Sequence, residues 1–68
     1  MLDKANKLLL SAQSHVHSLK DIEDLNFYED MKKSHLDAVD SLEVDASAEV
    51  LGVLDKIRIL YRFSDNYV

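Results

Sequence analysis

Apolar residues recur along this chain at alternating spacings of three and four. Leu2, Ala5, Leu9, Ala12, Val16 and Leu19 follow that rhythm, and it returns in Val50, Val53, Ile57 and Leu60. Such spacing puts one apolar stripe along a helix, and a stripe must be buried against other helices. The chain is therefore expected to be all-α, as a small antiparallel three-helix bundle forming a single domain over residues 1–68. The spacing changes after Leu19, with Ile22 and Leu25 each three residues on, which reorients the stripe or ends the first helix.

Local signals divide the chain into helices over about 3–24, 27–43 and 46–63. Asn26 followed three residues later by Glu29 has the form of a capping box, with Leu25 before it as a hydrophobic staple. The second helix would turn Phe27 or Tyr28, Met31, His35, Ala38, Val39 and Leu42 inward. Val44 and Asp45 disfavour helix slightly, and Asp45 is a cap candidate for a third helix starting at Ala46. No glycine or proline forces that break. The alternative is a helical hairpin whose second helix runs unbroken for about 55 Å, at ~1.5 Å per residue, and dimerises to cover its far half. Gly52 lies inside the last helix, where glycine costs about 1 kcal/mol relative to alanine. Close approach of a neighbouring backbone and simple tolerance are the two explanations.

A chain of 68 residues buries only about 60% of its unfolded surface, so small domains lean on disulfides, metals or partner chains. Cysteine is absent, which removes disulfides and thiolate metal sites and suits a reducing cytoplasm. The longest apolar run is Leu8-Leu9-Leu10, too short to span a membrane, and Met1-Leu2-Asp3-Lys4 does not open a signal peptide. A second copy of the chain is the expected support, as a homodimer.

Chemistry-bearing patterns are sparse. His15 and His17 are two apart and so lie on different sides of a helix, and Lys32 stands where a di-iron bundle would need an acid before His35. No metal site and no cofactor are expected. Serines 11, 14, 18, 34, 41, 47 and 64 have no glycine-rich elbow around them, so no catalytic residues are expected either. The net charge is −5; residues 21–30 hold five acids and no base, and residues 34–55 hold six acids and no base. That surface repels phosphate, and the start of the last helix carries Glu49 and no base before Lys56, so direct nucleic-acid binding is not expected.

Two surfaces stand out. Asp37, Asp40, Glu43 and Glu49 form an acidic face without the spacing of a calcium loop. The last helix is apolar on more than one side: Ile57, Leu60 and Tyr61 face one way, Ile59 and Phe63 another. Ile59, Phe63 and Tyr67, rimmed by Arg58 and Arg62, are either further core or a partner-binding surface. The expected function is a non-enzymatic protein–protein interaction module of the regulator, adaptor or co-chaperone type, self-associating through the first and last helices. Two alternatives remain: an acidic decoy for a basic, nucleic-acid-binding protein, and a structural subunit of a larger assembly.

Overall fold

The computed structural model describes residues 1–65 and contains three α-helices: α1 (Leu2–His17), α2 (Leu25–Glu43) and α3 (Ala48–Ser64). They pack against one another as the bundle that the apolar rhythm implies. Contacts between α2 and α3 pair Lys32 with Asp65, His35 with Tyr61 and Asp40 with Arg58, so one number rises as the other falls and the two helices are antiparallel. His15, near the end of α1, meets Tyr61, near the end of α3, so these two run the same way. The described chain measures 37 × 17 × 16 Å, too short for an unbroken helix of ~55 Å. The chain turns at Val44–Ser47 instead, and the hairpin alternative is excluded.

The helix ends differ from the sequence expectation in instructive ways. α1 stops at His17, passes through a 3₁₀ turn over Ser18–Asp21, and leaves it at Ile22 in extended conformation. The Ser18 hydroxyl donates to the His15 carbonyl at 2.6 Å, satisfying an acceptor that the ending helix would leave open. The altered spacing after Leu19 thus marks an end, and residues 22–24 fall outside the helix. α2 is capped by Asp24, not Asn26: its carboxylate accepts from the Asn26 and Phe27 amides at 3.0 and 3.3 Å. An ionised acceptor serves two orphan donors at the positive helix end, where a neutral amide gains less. Leu25 is consequently inside the helix rather than a staple before it. α3 is capped by Ser47, not Asp45; its hydroxyl accepts from the Val50 amide at 3.4 Å, and the helix begins at Ala48, not Ala46.

The core consists of Ala5, Ala12, Val39, Val50, Leu54, Ile57 and Tyr61, with Leu8, Leu9, Val16, Leu36, Leu42, Ala46, Val53 and Leu60 partly buried around it. Alanine at positions 5 and 12 removes side-chain bulk from α1 and lets α3 lie close. On α3 the innermost line is Val50, Leu54, Ile57, Tyr61 and Ser64, rotated by one residue from the expected Val53 and Leu60. The reason is size: Leu54 and Tyr61 are the larger fillers, and turning them inward buries more surface. Leu2 stays partly exposed at the helix start. Gly52 meets nothing within 4 Å of where a Cβ would stand, so no neighbouring backbone explains it and the position simply tolerates glycine.

Candidate functional site

Three features converge on one end of the bundle, where α1 finishes, α2 begins and α3 finishes.

The first is a polar cluster inside the apolar core. Tyr61 is 2% exposed, and its hydroxyl lies 2.7 Å from His15 Nδ1 and 2.5 Å from His35 Nδ1. A phenol has one proton to give, so it donates to one imidazole and accepts from the other. The two rings must therefore hold complementary tautomers. One residue from each helix joins this contact, which makes it a tie across the whole bundle. Tyr28 completes the cluster by stacking on His15, with ring centroids 4.4 Å apart and planes 26° from parallel. His15 Nε2 and the Tyr28 hydroxyl are buried without a hydrogen-bond partner.

Burial sets the electrostatics. Desolvation lowers the His15 pKa below its ordinary value, the neighbouring His35 lowers it further, and the Tyr28 backbone opposes both. Desolvation alone lowers His35. The Tyr61 phenol is raised, chiefly by burial and then by Tyr28. In all three groups burial favours the neutral form.

The second feature is a groove of about 920 Å³ between α1 and α2. Leu10, Ser14 and Ser18 line one wall, each four residues from the last; Phe27, Met31 and His35 line the other with the same spacing. The connection through Asp21, Ile22, Glu23 and Asp24 closes one end. Leu10 and Phe27 are 65% and 60% exposed, large apolar groups left at the mouth.

The third feature is the outer side of α3. Ile59 and Phe63 lie one turn apart, 51% and 63% exposed, two residues to either side of the inward-facing Tyr61. They are not part of the core. Arg62 is exposed beside them. Arg58 is held elsewhere: its guanidinium donates to Glu43 at 2.6 and 3.1 Å and to Asp40 at 3.0 Å, with Asp55 3.7 Å away. These bonds raise the Arg58 pKa and hold the Glu43 carboxyl below its usual value. Tyr67 lies outside the described residues. Of the acidic face, Asp40 and Glu43 are engaged by Arg58, while Asp37 and Glu49 form no ion pair among the described residues.

Lys32 bonds to Asp65, the contact that raises its pKa and fastens the end of α3 to α2. Among the described residues no group of three or more His, Cys, Asp or Glu is placed to hold a metal ion, and no helix is long and apolar enough to cross a membrane. Helical spacing turns His35 inward but does not bring it to His15 and Tyr61. One signal was present: His15 sits three residues after the seam residue Ala12, on the same helical face. Comparison with family models, with curated proteins and with solved structures returns no match.

Proposed function

We propose that the chain is a non-enzymatic interaction module that self-associates through the outer side of α3. The supporting observation is the exposure of Ile59 and Phe63 one turn apart on a helix whose other side already fills the core. The apolar seams of α1 and α3 meet within one chain, so a second copy would have to use an outer surface such as this one. Phe and Ile flanked by Arg62 have the composition of interface centres. An absence of cysteine is compatible with action in the cytoplasm as a regulator, adaptor or co-chaperone.

Light scattering across a range of concentrations tests this reading. Wild-type chain is expected to reach dimer mass as concentration rises, and the variant Ile59→Ser with Phe63→Ser to remain monomeric with its helical circular dichroism unchanged. A wild-type chain that stays monomeric at every concentration would remove the self-association. The acidic-decoy reading has less support, since Arg58 already pairs with Asp40 and Glu43.

A further inference from the structure

We propose that the groove between α1 and α2 binds a basic amphipathic helix of another protein, which would add a fourth helix to the bundle. This surface is separate from the outer side of α3 and does not depend on self-association there.

The shape comes from helix geometry. Leu10 and Ser14 on α1, continued by Ser18 at the start of the 3₁₀ turn, and Phe27, Met31 and His35 on α2 each advance by four residues, so each row runs along its helix as a ridge. Two such ridges flanking a trough make the form into which a third helical ridge fits. Ser14 and Ser18 keep one wall low, so an incoming helix can come close to the α1 backbone. Leu10 and Phe27 stand at the mouth with well over half their surface in water, while Met31 is already half-buried beneath. Large apolar groups at the lip of a trough of about 920 Å³ match the way amphipathic helices dock, with anchors at i, i+3 and i+4.

Charge selects the occupant. Asp21, Glu23 and Asp24 line the closed end, and residues 21–30 contain five acids and no base. Asp24 is occupied in capping α2, but Asp21 and Glu23 form no ion pair among the described residues. A helix presenting Lys or Arg beside its apolar stripe would meet complementary charge there. A second copy of this chain, at net −5, would bring mostly like charge to the same rim. Its most basic apolar side, around Ile59 and Phe63, also points directly away from the groove, because both residues flank the inward-facing Tyr61. A copy inserting that side would generate head-to-tail chains instead of a closed pair.

The probe is a synthetic helical peptide of Leu and Lys, with Leu at i, i+3, i+4 and i+7, titrated into isotopically labelled protein and followed by amide and imidazole NMR shifts. Shifts are expected to concentrate at Ser14, Ser18, Phe27 and Met31 and on the His15 and His35 rings. Affinity is expected to fall at least about tenfold in Leu10→Ser with Phe27→Ser, as for loss of central anchors. Because Leu10 and Phe27 are exposed, that variant keeps its fold, checked by an unchanged melting temperature. Asp21→Asn with Glu23→Gln is expected to weaken binding and flatten its salt dependence. Any of three results overturns the proposal: no binding, shifts centred on Asp37 and Glu49 or on Ile59 and Phe63, or equal binding of a matched Leu and Glu peptide. Binding there by a chain that remains monomeric would leave this groove standing and remove self-association alone.

Discussion

Replacing Tyr61 by Phe removes one oxygen and leaves the ring, so it isolates the tie between the three helices. Two hydrogen bonds are lost, at 2.7 Å to His15 and 2.5 Å to His35. His15 is 8% exposed and already has Nε2 without a partner, so its Nδ1 is the costlier of the two to leave unpaired. Leaving a buried polar group unpaired costs about 1–3 kcal/mol. His35 is less deeply buried, so its loss is nearer the net value of one hydrogen bond, about 0.5–1.5 kcal/mol. Against this, Phe avoids desolvating a hydroxyl, which trims the sum to about 1–3 kcal/mol. A domain of this length holds only about 3–10 kcal/mol in total. The melting temperature is therefore expected to fall by about 4–24 °C, at ~4–8 °C per kcal/mol. Urea unfolding at pH 7.5, with circular dichroism as the readout, measures the change directly. The double variant His15→Leu with Tyr61→Phe should cost less than the sum of the single changes by about 1 kcal/mol or more, since it removes both partners together. A Tyr61→Phe change under about 0.5 kcal/mol, or strict additivity in the double variant, would refute the account of this cluster as a structural tie.

His15 and His35 both have folded pKa values below the unfolded one, so their contribution is complete above pH ~6.5 and is lost as pH falls below it, with a limiting slope of about 2.7 kcal/mol per pH unit for two protons. Urea unfolding between pH 5 and 7.5 checks this, and imidazole resonances titrating at ordinary values would contradict it. Gly52→Ala should stabilise by about 0.5–1 kcal/mol, because the added Cβ meets nothing within 4 Å; a lower melting temperature would speak against an open site. Asp24→Ala should cost about 1 kcal/mol and Asn26→Ala much less, and chemical denaturation showing the reverse order would restore Asn26 as the cap.

The sequence alone settles the all-α class and the apolar face of each helix, but leaves open whether the chain past Glu43 is a second helix continued or a third. Class and face follow from periodicity, which is a property of nearby residues: Ala5 and Ala12 are on the seam because each helix turn brings the same face round. The same local logic marked Ile59 and Phe63 as lying apart from Ile57 and Tyr61 on α3. It misplaced both interior caps by two residues, since Asn26 and Asp45 are as plausible locally as Asp24 and Ser47. Which residue caps depends on where the next helix must start to turn Tyr28 or Leu54 inward, and packing between helices fixes that.

Other features depend on how the helices pack. The break at Val44–Ser47 has no strong local signal; it exists because folding α3 back buries Leu54, Ile57 and Tyr61, which a straight helix would leave in water. His15, His35 and Tyr61 are 46 and 26 residues apart along their contacts, and no spacing rule connects them. The groove is likewise a property of two helix faces at once, and neither row of residues announces it alone. Arg58, which reads as the rim of an interface, is drawn to Asp40 and Glu43 because α2 and α3 run antiparallel and bring opposite charges within reach. Periodicity within a helix is written in neighbouring residues, whereas a site between helices depends on how they pack.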